Sequence, residues 1–444
     1  MKQKTARQIA LDTLIAGRKD RAWSDGYLKA AICKNGLDHR DAALATRLGY
    51  GVLQNQQLLD FYIGAYCSQT PAHLEPIVLD VLRLGAYQIL FMDRIPNNAA
   101  VSESVELIKS YDRERAAGLV NAVLRKIAAN RDQLPPIPQE DALTYLSIRY
   151  SHPRWLVQRS VELLGREEAE AFLACNNEAV ETTIQWNPLR GTEEELLRSL
   201  EEGGVQAEAH AWLRGCYTLR KTGNIEHLSA FREGRFLVQD AAAKLTALAA
   251  GVRPGMQVMD ICAAPGGKSF AMAMAMEDRG HIASFDLHRS KIRLIHESAQ
   301  RLGISCITAE AANGKVLLPE YVGQADAVLC DVPCSGLGII RKKPDIRLKE
   351  EKELGSLPNV QHDILENAAH YVKPGGALVY STCTILPREN EQITDAFLRG
   401  HPDFKREAFA LPGPIGAVGE GQITLWPQRH GTDGFYICRM RREE

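Results

Sequence analysis

"VMDICAAPGGKSF", residues 258–270, runs from an apolar stretch through a pair of glycines into a helical pattern, the order expected of a strand, a tight turn and a helix. From Phe236 onward the same theme recurs. "QVMDICA", "HIASFD", "DAVLCD" and "GALVYST" read as strands, separated by stretches long enough for crossover helices. That alternation predicts a parallel, doubly wound sheet of the Rossmann-like α/β class over residues 236–444. The end of the chain, "ITLWPQRHGTDGFYICRMRR", predicts two more strands joined as an antiparallel hairpin.

The remainder of the 444 residues divides differently. Residues 1–133 repeat apolar positions at helical spacing, as in "ARQIALDTLIAG", "LEPIVLDVLRLGAYQILFM" and "AAGLVNAVLRKIAAN", and predict an all-α domain. Asp38 is placed to cap the helix that follows it, and Pro96 marks a break before a new one. "QLPPIPQED" at 133–141 reads as a stiff linker. Residues 141–235 predict a small α/β module, with strands at "ETTIQWNP" and "CYTLRK" and a helix at "TEEELLRSLEEGG" between them.

With 45% hydrophobic and 24% charged residues the composition is that of a soluble globular protein. Neither a leader pattern nor an apolar run of about 18 residues is seen, so a cytoplasmic protein without a membrane partner is expected. A net charge of −2 excludes a uniformly basic nucleic-acid binder, although residues 1–133 hold 18 Lys/Arg against 14 Asp/Glu. The ten cysteines form no Cys-x-x-Cys pair, which argues against a zinc site and against a disulfide framework. No metal is expected.

The turn at Gly266-Gly267 falls where a first βα loop binds ligand in such a sheet. It is not Gly-x-Gly-x-x-Gly, which argues against a dinucleotide pyrophosphate. Asp286 ends the next strand twenty residues on, where an acid accepts hydrogen bonds from ribose hydroxyls. A nucleoside cofactor without a pyrophosphate follows, and S-adenosylmethionine is the candidate.

Asp331 and Cys334 in "DVPCSG" follow the strand "ADAVLCD", and Cys383 in "YSTCTILPRENE" follows "GALVYST", so all three should emerge on the cofactor edge of the sheet. Free cysteines most often pack cores, and Cys262, Cys306 and Cys330, in or beside apolar strands, read that way. The turn residues Pro333, Ser335 and Gly336 place Cys334 outside its strand. Carbon 5 of cytosine is a poor nucleophile until a thiolate adds at carbon 6, so two loop thiols beside an acid suit that chemistry. A carboxyl group at Asp331 could hydrogen-bond or protonate ring nitrogen 3.

"FLVQDAAAKL", "DICAAPGGKS", "DVPCSGLGIIRKKPDIR", "YSTCTILPRENE" and "HGTDGFYICRMRR" together resemble the RNA cytosine-carbon-5 methyltransferases of the Nol1/Nop2/Sun group, and within it the RsmB/Sun (Fmu) family with its NusB-like N-terminal domain. The resemblance implies Cys383 as nucleophile, Cys334 as the second cysteine that assists release, and Asp331 as the acid at the target base. It implies a cofactor loop of Cys262, Ala263, Ala264, Pro265, Gly266, Gly267 and Lys268 around the methionine portion, with Asp286 at the ribose. Lys268 is counted with the catalytic set and Asp331 with the cofactor contacts as well. Asn313, in "TAEAANGKV", stands where the family usually has an aspartate near the adenine.

The implied partner is 16S ribosomal RNA, and the implied species a monomer. "RKKPDIR" at 341–347 and the group Arg113, Arg115, Arg125, Lys126 and Arg131 are the candidate phosphate contacts. The alternatives are a transfer-RNA methyltransferase with the same core, and a non-catalytic RNA-binding assembly or transcription factor. The intact Cys383, Cys334 and Asp331 argue against the latter.

Overall fold

The computed structural model describes residues 3–20 and 24–444. Its contacts divide the chain into two compact units, one of Met1–Glu178 with Ile340–Glu351 and the other of Ala179–Ile339 with Lys352–Glu444.

The first unit is helical. Its N-terminal helices include Ala6–Asp20, His39–Tyr66, Pro76–Phe91, Asn97–Lys109 and Ala117–Ala129. The Asp38 carboxylate accepts from the Asp41 backbone N–H at 2.8 Å, satisfying one of the free donors at a helix start. Pro96 precedes Asn97–Lys109, as the sequence predicts. Apolar stripes on these helices meet in a core that contains Leu48, Val52, Leu82, Ile108 and Leu124. Residues 142–175, grouped in the sequence reading with the small α/β module, form the helices Ala142–Tyr150, Arg154–Leu164 and Arg166–Cys175 and belong to this unit. Leu156, Val157 and Ser160 are buried at helical spacing.

The segment Ile340–Glu351 corrects one expectation. Arg347 was a candidate phosphate contact, but it is only 6% exposed. Its guanidinium donates to the carbonyl oxygens of Gln54, Tyr150, Ser151 and Asn176 and to Asn177 Oδ1, the last at 2.6 Å. Both terminal nitrogens are spent on protein acceptors and Nε is buried, so the side chain has no donor to offer RNA. Trp155 Nε1 donates to Lys349 O at 3.2 Å and holds the same segment.

The second unit opens with an antiparallel sheet of β1 (Thr182–Trp186), β2 (Gln206–Ala209), β3 (Cys216–Arg220) and β4 (Phe236–Val238), in the order β2-β3-β1-β4. The expected helix is there, as Glu193–Glu202, and carries a capping box between Thr192 and Glu195.

The larger sheet contains β5 (Gln257–Asp260), β6 (His281–Asp286), β7 (Ile307–Ala311), β8 (Ala325–Asp331) and β9 (Val372–Thr382), parallel and ordered β9-β8-β5-β6-β7. The order reverses between β5 and β8, so a crevice opens above their carboxyl ends. β10 (Phe404–Arg406) lies beyond, β11 (Phe409–Leu411) and β12 (Gly416–Val418) pair with each other, and β13 (Gln422–Leu425) pairs antiparallel with β14 (Phe435–Arg442). The four strands read from the alternation lie in the parallel part, the terminal strands β13 and β14 form the antiparallel hairpin expected there, and β14 joins β9 antiparallel, so the whole sheet is mixed. β7 was not among the predicted strands. "ITAEA" is a half-exposed edge strand whose polar residues hide the pattern. The crossover helix expected between "HIASFD" and "DAVLCD" is Arg289–Leu302, which precedes β7, and the connection from β7 to β8 carries a 3-10 turn, Pro319–Tyr321.

Candidate active site

The turn that follows β5 is shaped by one glycine. Gly266 has φ +105°, and a Cβ there would lie 2.4 Å from the Phe270 ring, so only glycine closes the turn before the helix Gly267–Ala275. Ala263 N–H donates to Phe285 O at 2.7 Å, and Gly266 N–H donates back to Ala263 O at 2.7 Å. Ala264 and Pro265 form the tip between them. The bare amides at the start of this helix suit a carboxylate. Asp286 ends β6, nine-tenths buried, with its Oδ1 accepting from His288 N–H at 3.0 Å. These features fit S-adenosylmethionine: glycine and amides for its amino-acid end, Asp286 for its ribose. Asn313 lies in the loop after β7, exposed, with its Oδ1 taken by the Lys315 N–H at 3.1 Å. Cys262 is partly buried against the core, and burial pushes its thiol up, so it is no nucleophile.

Asp260, at the end of β5, was not singled out from the sequence. It is fully buried, and its Oδ2 accepts from Ser269 Oγ at 2.6 Å. Burial pushes its carboxyl up to about 7, against the Ser269 hydrogen bond and reinforced by the charge of Asp331. Its signal was its position, the last residue of the strand that enters the glycine turn.

The predicted catalytic residues meet at the ends of β8 and β9. Asp331 stands opposite Ser381 in the register, accepts from Ser381 Oγ at 2.8 Å and pairs with Lys268 Nζ at 2.6 Å. Burial alone would lower the Lys268 ammonium, but the charge and hydrogen bond of Asp331 outweigh it and hold the amine above its usual range. Its Nζ also lies 5.0 Å from the centroid of the Phe435 ring.

Cys334 Sγ and Cys383 Sγ are 3.2 Å apart, both as free thiols. The hydrogen bond to Cys383, then burial, holds the Cys334 thiol well above its ordinary value. Cys306 and Cys330, by contrast, are buried in the two cores of the sheet. The loops that carry the pair are tied together. Gly338 N–H donates to Cys383 O at 2.9 Å, and Gly434 N–H donates to Gly338 O at 2.9 Å. A Cβ on Gly338 would fall 1.9 Å from Gly434 O, so "GLG" and "TDGF" need glycines to approach. Glu389 and Gln361, missed in the sequence, brace the Cys334 turn from behind: Glu389 Oε2 accepts from Ser335 N–H at 2.8 Å and from Gln361 Nε2 at 2.9 Å.

The second basic group is in the helical unit. Arg113 pairs with Glu75 at 2.7 Å, Arg131 with Asp93, and Arg125 donates to Asn121 Oδ1 at 3.1 Å, all at the surface. Among the described residues no helix is long and apolar enough to cross a membrane, and no group of three or more His, Cys, Asp or Glu converges as a metal site.

Comparison with known proteins agrees with this geometry. Residues 247–441 match the family described as 16S rRNA methyltransferase RsmB/F, residues 4–129 the NusB family, and residues 152–226 the ferredoxin-like domain of RsmF/B-like methyltransferases. The probable ribosomal RNA small subunit methyltransferase B of Bacillus subtilis (strain 168) is 36% identical over 100% of both chains. The ribosomal RNA small subunit methyltransferase B of Erwinia tasmaniensis is 31% identical over 91% of both. The crystal structure of PH0851 superposes with a TM-score of 0.82 at 28% identity, over 99% of both chains. On this similarity, which runs from the helical unit through the catalytic loops, the chain belongs to the RsmB/F family of 16S rRNA methyltransferases, enzymes that use S-adenosylmethionine.

Proposed function

We propose that this chain methylates carbon 5 of a cytosine in small-subunit (16S) ribosomal RNA through a covalent cysteine–cytosine intermediate. The observation that carries the reading is the Cys334–Cys383 pair, 3.2 Å between sulfurs, on the same sheet edge as the Lys268–Asp331 ion pair. One thiol suits addition, and a second suits release. The target base is single-stranded or flipped out of its helix, because its carbon 6 is out of reach in a stack.

Cys383 adds to carbon 6, and Asp331, fixed by Lys268 and Ser381, faces the base where electron density builds at nitrogen 3. S-adenosylmethionine, when bound, supplies the electrophilic methyl group. Gly266, Gly267 and Asp286 orient it, and Cys334 assists departure of Cys383 once the carbon-5 proton has left. Residues 1–133 engage RNA, 236–444 carry the chemistry, and 141–235 form the small module between them in the chain, its first helices grouped by their contacts with the helical unit; the enzyme works as a cytoplasmic monomer.

The test is methyl transfer to protein-free 16S RNA, read as 5-methylcytosine by bisulfite mapping. One new modified cytosine is expected with the wild-type protein and none with Cys383→Ala. Modification of transfer RNA instead, or of neither RNA, contradicts the reading.

A further inference from the structure

Two thiols 3.2 Å apart cannot both ionise at neutral pH, and something must decide which keeps the proton. The surroundings are unequal. Asp331 precedes Cys334 by three residues and is neutralised by Lys268 at 2.6 Å, on the side where Lys268 also feels the charge of Cys383. Tyr380 of β9 is a neutral phenol, held well above its ordinary value by burial, and donates to the Glu389 backbone oxygen at 2.6 Å. The remaining ionisable neighbour is Glu389. It is 0% exposed, and it follows Cys383 in sequence yet braces Cys334 in space. Its Oε2 accepts from Ser335 N–H at 2.8 Å, and Gln361 Nε2 bridges that same oxygen (2.9 Å) to Pro333 O (3.0 Å). Both flanks of Cys334 are thereby fixed to one carboxylate. Its Oε1 is buried and has no hydrogen-bond partner among the described residues, a low-dielectric setting in which the charge acts strongly on its neighbours.

We propose that Glu389 is a positioning residue that clamps the Pro333–Ser335 turn and keeps Cys334 as the thiol, so that Cys383 is the sulfur that gives up its proton. This rests on Cys383 being the nucleophile. The Cys383 proton passes to solvent, and the Cys334 S–H, keeping its proton, hydrogen-bonds to the Cys383 thiolate before attack. When the carbon–sulfur bond breaks at the end, its electron pair returns to Cys383, and the same S–H is there to receive it. The negative field of Glu389 opposes ionisation of Cys334 in the direction the hydrogen bond and burial already push it.

Glu389→Gln keeps an acceptor for Ser335 N–H and removes the charge, which separates clamp from field. The full-length protein is alkylated with iodoacetamide between about pH 6 and pH 10, and Cys334 and Cys383 are followed by peptide mass mapping. In the wild type, Cys334 becomes reactive at least about one pH unit above Cys383, and in Glu389→Gln its onset falls by about one unit, a tenfold gain in its rate near neutrality. Unchanged profiles in the variant overturn the proposal. Should the variant fail to fold, as judged by its melting curve, the wild type decides: coincident or reversed onsets for the two cysteines overturn it equally. No RNA is used, so a chain that shows the thiol asymmetry but does not methylate 16S RNA refutes the proposed function and leaves the role of Glu389 standing.

Discussion

Lys268, the second residue of the helix that follows the glycine turn, reaches 2.6 Å from Asp331 at the end of β8, and so joins the glycine turn to the acid at the strand end by one ion pair. Lys268→Met leaves Asp331 without its cation. Because the pair is partly buried, with 13% and 26% of the side chains exposed, a loss of about 2 kcal/mol in stability is expected, with a larger loss in methyl transfer. Urea unfolding and single-turnover methylation measure the two. An active, equally stable variant contradicts the assignment.

Gly266→Ala tests the turn. At φ +105° any side chain is strained, and its Cβ would overlap the Phe270 ring, so the turn must open. Calorimetric titration with S-adenosylmethionine should show binding weakened at least about tenfold, with the melting temperature lowered.

Asp260 makes a pH prediction whose sign follows from its raised carboxyl. Its folded-state value of about 7 exceeds the unfolded 3.8, so the folded protein holds the extra proton and stability is fully present below about pH 4 and lost as pH rises through 7. Asp260→Asn, which keeps an acceptor for Ser269, should remove this loss and be the more stable protein at pH 8, by on the order of 2–3 kcal/mol. Urea unfolding of both proteins at about pH 6 and pH 8 measures the difference, and equal slopes with pH would contradict the burial argument.

Arg347→Met separates a structural guanidinium from an RNA contact. Five oxygens lose their donor, and a destabilisation of about 3 kcal/mol is expected. The slope of RNA affinity against salt should stay as it was, whereas loss of a phosphate contact would lower it by about one.

Four of the five parallel strands were legible because each is a short apolar run ending in a recognisable residue: Asp260, Asp286, Asp331 and Thr382. The site was legible to the same extent, since parallel strands deliver their last residues to one edge. Pattern reading failed where tertiary contacts override it. β7 alternates polar residues at an edge, Arg347 looks like any loop arginine until five buried acceptors surround it, and Glu389 sits in an obvious motif yet acts on a turn 54 residues away.

The central claim is that Cys383 bonds to the base and Cys334 lets it go. Each single variant, incubated with 16S RNA and S-adenosylmethionine, is run on a denaturing gel that separates free protein from a covalent protein–RNA adduct. Cys334→Ala should accumulate the adduct, and Cys383→Ala should form none. An adduct with Cys383→Ala and none with Cys334→Ala would reverse the roles and contradict the account.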